Sequence, residues 1–65
     1  MGMIIRGLEN GDMVVETKKG NVYRAMYLYD DLYELIDEGR NEAVMTTRDL
    51  QDFFDMVMYR EKAFN

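Results

Sequence analysis

Two glycine-containing turn sequences divide the first half of the chain into short apolar or β-prone runs. Residues 9–12, with the sequence Glu-Asn-Gly-Asp, join the run 3–8 to the run 13–18. Asn-Gly is the strongest short-range signal for a β-hairpin, because both residues tolerate the positive φ of a tight turn. Residues 18–21 then lead into the run 22–29, and their glycine can take the left-handed conformation of a bulged three-residue turn. These signals predict a three-stranded antiparallel meander.

The third run alternates between two sets of side chains, which would lie on opposite faces of the sheet. One face would carry Val22, Met26 and Leu28, and we expect that face to be in the core. Arg24 falls among these positions, so we expect it near an edge, where its stem covers apolar surface and its guanidinium reaches water. The other face would either be covered by the C-terminal helix or form an exposed aromatic surface, and it carries Tyr23, Ala25, Tyr27 and Tyr29.

Residues 30–40 fit two alternatives. In the preferred one they form a short helix, which Asp31 caps and Gly39 ends. In the other, residues 32–37 form a strand that turns and pairs with residues 42–46. The spacing of the apolar residues in this segment fits a helix as well as a strand.

The last element is the clearest helix of the sequence. Thr47 is the expected N-cap, and an acidic first turn and a basic last turn complement the helix dipole. The helix is expected to run to about Ala63. Its apolar residues fall within one arc at the 3.6-residue period, as expected of a helix laid across a sheet: Leu50, Phe53, Phe54, Val57 and Phe64.

These elements predict an α+β fold in a single domain over residues 1–65. It would consist of a small antiparallel β-meander of three or four strands, packed by the C-terminal amphipathic helix, with a short middle helix in the preferred alternative. A chain of 65 residues buries only about 60% of the surface that its unfolded form exposes. Neither a disulfide nor a zinc site can reinforce this core, because the chain has no cysteine and no histidine. We therefore expect self-association, with a homodimer as the simplest form.

No secretory signal is expected at the start of the chain, because Arg6 interrupts the apolar residues that open it. No apolar run approaches the ~18 residues of a membrane span. The sequence therefore predicts a cytoplasmic protein without a membrane partner.

The residue types that are missing exclude most catalytic chemistry. The chain has no histidine, cysteine or serine, and it also lacks proline and tryptophan. Without imidazole, thiol or serine hydroxyl, only carboxylates, lysines, tyrosines and three threonines remain for acid–base or nucleophilic work. We therefore predict that the protein is not an enzyme, and we assign no catalytic residue and no cofactor.

Acidic residues concentrate between residues 30 and 55, where nine of them stand against Arg40 and Arg48. The simpler interpretation is that these acids keep a small domain in solution. A sharper one is that they meet a basic partner protein, such as the nucleic-acid channel of another protein, with carboxylates where phosphates would lie. The candidate partner-binding acids are Asp30, Asp31, Glu34, Asp37, Glu38, Asp49, Asp52 and Asp55. Nucleic acid itself is not the expected partner, because a net charge of −5 repels a polyanion.

The sequence thus predicts a small protein-binding module, in the role of a stoichiometric inhibitor or regulator. Small acidic accessory proteins of phages and mobile elements have this character, by analogy only. The alternative is a self-assembling structural subunit whose acids serve only to keep it in solution.

A metal site is not expected among the same acids. The segment from Asp30 to Glu34 lacks the alternating ligands and the central glycine of a calcium loop.

One side of the C-terminal helix is a candidate oligomer interface. Met56, Tyr59 and Ala63 lie away from the main apolar arc but beside Phe53, and they widen the apolar surface of the helix. Methionine offers adaptable contact area that suits a partner surface as well as an irregular core. Core packing and an oligomer interface both remain open for Met56 and Tyr59, and the candidate interface of a homodimer consists of Phe53, Met56 and Tyr59.

Residues 10–25 resemble the first strands of Sm-like barrels, through Lys18-Lys19-Gly20 followed by Tyr23-Arg24-Ala25. Ala25 stands where that family has glycine, and the family's Asp-x-x-x-Asn signature is missing after it. The resemblance implies a small, strongly bent sheet, and it assigns no RNA-binding residue to this chain.

Overall fold

The computed structural model describes residues 3–63 and has an α+β fold, with a five-stranded antiparallel sheet followed by one helix. Each strand pairs with the next along the chain, so the sheet is a simple meander. The predicted fold class is confirmed, with one strand more than the predicted maximum of four. The elements are β1 (Met3–Gly7), β2 (Met13–Thr17), β3 (Val22–Tyr29), β4 (Leu32–Asp37), β5 (Glu42–Thr47) and α1 (Leu50–Ala63).

The two predicted glycine turns are confirmed and have the same geometry. Gly11 has a φ of 93°, and its N–H donates to the carbonyl oxygen of Leu8 at 3.1 Å. Gly20 has a φ of 87°, and its N–H donates to the carbonyl oxygen of Thr17 at 2.9 Å. Each turn therefore places a glycine in the left-handed region that other residues adopt at a cost.

The preferred helical interpretation of residues 30–40 is wrong, and the strand alternative is confirmed. Asp30 and Asp31 have φ values of 50° and 59°. Positive φ at both central residues is the signature of a two-residue type I′ hairpin turn, and aspartate tolerates it better than most residues. The expected helix cap is therefore one half of a tight turn between β3 and β4, and Leu32–Asp37 is a strand.

Two bulges interrupt the sheet. Leu28 is an extra residue in β3, between Tyr27 and Tyr29, and Val44 is an extra residue in β5. A bulge bends its strand and breaks the alternation of side chains. The bulge at Leu28 thus leaves three consecutive large side chains exposed at the end of β3.

The core lies between one face of the sheet and α1, and the predicted core face of β3 is wrong. Tyr23 and Ala25 are buried, whereas the predicted Val22 and Met26 lie half-buried on the outer face, the face of the sheet away from α1. Tyr23 can be buried because its hydroxyl reaches the Glu61 carboxylate of α1, 3.4 Å away. The buried apolar cluster consists of Val15, Tyr23, Ala25, Leu35, Phe53 and Val57.

Helix α1 confirms the predicted apolar stripe but not the predicted N-cap. Thr47 is the last residue of β5, and the Asp49 carboxylate caps the helix by accepting the Gln51 N–H at 2.9 Å. The Thr47 hydroxyl supports this cap, since it donates to the Asp52 carboxylate at 2.9 Å. Phe64, which the sequence places in the apolar arc, lies outside the described residues. Over residues 3–63, the structure has no helix with the length and apolarity that crossing a membrane requires.

Candidate functional site

The meander separates the predicted partner-binding acids into groups at opposite ends of the domain. The turn between β3 and β4 and the start of α1 lie at one end, where the Nε of Arg48 donates to the carbonyl oxygen of Asp30 at 3.0 Å. The turn between β4 and β5 lies at the other end. We name the first group the acidic end, and it consists of Asp30, Asp31, Asp49, Asp52 and Asp55.

Asp37 is not a surface residue, so its prediction as a partner-binding acid is wrong. Only 4% of it is exposed, and its Oδ2 lies 3.1 Å from Nη2 of Arg60. The same Arg60 nitrogen lies 2.8 Å from Oε1 of Glu42. A buried arginine therefore neutralises Asp37, and it joins the end of α1 to the sheet.

Glu38 and Glu34 are not brought together with the acidic end either. Glu38 is exposed, but its Oε2 accepts a hydrogen bond from Nε of Arg24 at 3.0 Å. Arg24 lies in the central strand rather than near an edge, so the expected edge position is wrong. Glu34 is half-buried on the outer face of β4, opposite Met26. Neither Glu34 nor Glu38 therefore belongs to a common surface with the acidic end.

All five carboxylates of the acidic end are exposed, and none of the ion pairs among residues 3–63 involves them. Their contacts fix their positions without neutralising their charge. Asp49 caps α1, Asp52 accepts the Thr47 hydroxyl, and Asp55 accepts the side-chain amide of Gln51 at 2.9 Å. The acidic end is therefore a set of ordered negative charges, and Arg48 lies beside it.

Large apolar side chains accompany these charges. The sequence left the exposure of the tyrosines open, and the structure buries Tyr23 but exposes 62% of Tyr29 and 38% of Tyr27. Leu28 is also exposed, and the Tyr27 ring packs edge-on against Tyr33 with centroids 5.3 Å apart. Exposed tyrosine rings supply rigid contact area and are enriched in protein interfaces. We name Tyr27, Leu28 and Tyr29 the aromatic tip.

Asp12 holds the aromatic tip in place, and sequence reasoning treated it only as a turn residue. Its Oδ1 accepts the Tyr27 N–H at 2.9 Å, and its Oδ2 lies 2.8 Å from Nη1 of Arg24. Burial alone would raise the pKa of Asp12, but the hydrogen bond from Tyr27 and the pairing with Arg24 outweigh it, so the pKa is lowered. An aspartate directly after an Asn-Gly turn was the available signal, because it can bond to nearby backbone.

The predicted oligomer interface on α1 is wrong for Phe53, which is fully buried. Met56 is half-buried and packs against the core cluster. Tyr59 is 66% exposed and lies one helical turn beyond Met56. The three residues do not form one exposed surface.

Residues 3–63 contain no group of three acidic, histidine or cysteine side chains arranged to hold a metal ion. At the end opposite the acidic end, a groove of about 340 Å³ lies between Met3 and Met58. Lys18, Lys19 and Lys62 line it together with Glu61.

Comparisons of the chain with protein-family models, with curated proteins and with solved structures found no match. The acidic end and the aromatic tip are therefore the features that bear on its function.

Proposed function

We propose that this protein is a stoichiometric binding module, an inhibitor or regulator, that docks its acidic end and aromatic tip onto a basic surface of another protein. The observation that carries the proposal is the arrangement of five exposed carboxylates, outside every ion pair of the described residues, next to exposed tyrosine rings. The proposal assigns no chemical reaction to the protein.

The division of the acids supports a binding role for this end. Asp37 and Glu38 are balanced by arginines, so their charge has little reach beyond the fold. The carboxylates of the acidic end keep their charge and create a negative potential that attracts a basic surface from a distance. The tyrosines then provide the contact area that charges alone do not supply.

The local geometry also favours binding because it limits the entropy lost on docking. Asp30 and Asp31 are held in a tight turn, and Asp49 and Asp52 are held by hydrogen bonds at the start of α1. Groups that are ordered before binding lose less freedom when they meet a partner. A basic channel that binds nucleic acid is the kind of surface such fixed carboxylates suit.

The simpler interpretation, that these acids only cap the helix and keep the domain in solution, predicts no partner that depends on them. The two interpretations can be separated with Asp30→Asn/Asp31→Asn. Asparagine tolerates positive φ, so this variant keeps the turn and removes two negative charges. Glu16→Lys is the matched control, because it changes the net charge by the same amount at a half-buried position on the outer face of β2.

The experiment is affinity capture from an extract of the source cell with the wild type and both variants as bait. We expect a partner with a basic surface to be recovered by the wild type and by Glu16→Lys, and to be lost at high salt. Its affinity for Asp30→Asn/Asp31→Asn should be lower by up to about 30-fold, since each of the two removed charges contributes up to about 1 kcal/mol. Equal recovery by both variants, or recovery that is insensitive to salt, would refute the proposal.

A further inference from the structure

Strand β1 is an edge strand with unusual side chains. Among the described residues it pairs only with β2, so one side of its backbone lacks a neighbouring strand. Ile4 is 58% exposed and Ile5 is 51% exposed, and the alternation of a strand directs them to opposite faces. Isoleucine is among the most commonly buried residues, and two adjacent exposed isoleucines on an open edge invite another strand.

The other edge of the same sheet serves as an internal comparison. Strand β5 carries a bulge at Val44 and an exposed charge at Glu42, and both features discourage strand pairing. Strand β1 has a continuous register with β2, from Met3 opposite Thr17 to Gly7 opposite Met13. Only β1 is thus regular enough to accept a new strand along its length.

We propose that β1 pairs antiparallel with β1 of a second copy of this chain, around a two-fold axis. This pairing would join two five-stranded sheets into one continuous sheet of ten strands. It would cover Ile4 and Ile5 of both copies and satisfy the open backbone groups of both edges. Because the same surface is used by both copies, the assembly closes as a dimer and does not grow further.

The charges beside β1 fit a second copy in this orientation. Glu9 follows the end of β1, and Lys18 lies beside its start because Met3 is opposite Thr17. Antiparallel pairing brings Glu9 of one copy toward Lys18 of the other, at both ends of the interface. Attraction between these opposite charges favours this orientation over a parallel one.

This interface replaces the dimer through α1 that the sequence predicted. Phe53 is buried and Met56 is half-buried, so Tyr59 is the only one of the three predicted residues that is exposed. The β1 dimer is independent of the proposed function, because the acidic end takes no part in it. It would carry two acidic ends, one on each copy.

Cysteine scanning tests the pairing directly, since the natural chain has no cysteine. When the same face of each sheet continues into the other across an antiparallel two-fold pair, one residue of β1 lies directly opposite the same residue of the second copy. Cross-strand Cβ atoms about 4.5–5.5 Å apart are close enough for a disulfide after a small adjustment. We expect one of Met3→Cys, Ile4→Cys, Ile5→Cys and Arg6→Cys to form a disulfide dimer under mild oxidation, much faster than Tyr59→Cys.

Sedimentation of the full chain gives an independent test. We expect the wild type and Tyr59→Lys to show a concentration-dependent dimer, and Ile4→Lys/Ile5→Lys to be monomeric. All three should have the same circular dichroism, because the changed side chains are exposed. A wild type that stays monomeric at roughly millimolar concentration, the range of the weakest specific association, would overturn the proposal. So would a dimer that survives Ile4→Lys/Ile5→Lys or is lost in Tyr59→Lys, or a scan in which no β1 cysteine crosslinks.

Discussion

The guanidinium of Arg60, in the last turn of α1, lies 3.1 Å from the carboxylate of Asp37 at the end of β4, and both side chains are more than nine-tenths buried. This ion pair ties the end of the helix to the middle of the chain. Tyr23 lies close by, and burial, together with the charges of Asp37 and Glu61, raises the pKa of its hydroxyl. The phenol therefore stays protonated at neutral pH, and it donates to Glu61.

Removing one partner of the buried pair should be strongly destabilising. We expect Asp37→Ala to lower the free energy of unfolding by about 3–5 kcal/mol, because it leaves a buried guanidinium without its buried carboxylate. Glu42→Gln is the control, since Glu42 contacts the same arginine but its side chain is 55% exposed, and it should cost less than about 1 kcal/mol. Urea unfolding at neutral pH measures both values. Similar losses in the two variants would show that burial does not distinguish the two contacts.

The stability contributed by Asp12 should depend on pH. Its pKa is lowered in the folded protein, so the folded chain binds this proton more weakly than the unfolded chain does. The ionised carboxylate thus stabilises the fold above the ordinary value of 3.8, and this contribution is lost as the pH falls through the lowered pKa. We expect Asp12→Asn to cost about 2 kcal/mol at pH 7, with the difference from wild type shrinking toward pH 3.

Urea unfolding of the wild type and Asp12→Asn across this pH range measures the effect. Glu9→Gln, an exposed position in the same turn, should change the free energy of unfolding by less than about 0.5 kcal/mol. If the difference for Asp12→Asn were the same at pH 3 and pH 7, the carboxylate would not be held in its charged form by Tyr27 and Arg24.

The turn between β3 and β4 should respond to substitution as a type I′ turn. Asp30→Asn/Asp31→Gly should raise the free energy of unfolding by up to about 1 kcal/mol, since Asn-Gly is the preferred pair for this turn. Asp30→Val and Asp31→Val should each lower it by about 1–2 kcal/mol, because β-branched residues adopt positive φ at a high cost. Thermal unfolding measures all three. Tolerance of valine at both positions would contradict the turn.

The elements that are specified by residues close together in the sequence were predictable. Asn10-Gly11 and Gly20 specify turns through their own backbone preferences, and the structure has both. The stripe that contains Phe53 and Val57 repeats over several helical turns, so its period is unambiguous and both residues are buried. Segment 32–37 is too short for the spacing of its apolar residues to distinguish a helix from a strand. It is a strand, and Asp30 and Asp31, both with positive φ, form the hairpin turn that precedes it.

The faces of β3 could not be predicted, because apolar residues occur on both of them. Tyr23 became a core residue only because α1 brings Glu61 within 3.4 Å of its hydroxyl, a partner 38 residues away in sequence. Val22 and Met26 have no polar group in their side chains, unlike Tyr23, yet they lie half-buried on the outer face. When both faces of a strand carry apolar side chains, the face that the helix covers becomes the core face.

By itself, the sequence determined the α+β class, the first two hairpin turns, the C-terminal helix and the amount of acidic charge, since each follows from residue type and short-range spacing. Only the tertiary structure decided which acids lie at the same end of the domain. Asp37 and Glu38 are near Asp30 along the chain, but β4 carries them to the opposite end, where Arg60 and Arg24 balance them. Electrostatic interaction depends on distance in space and on burial, and neither can be read from position along the chain.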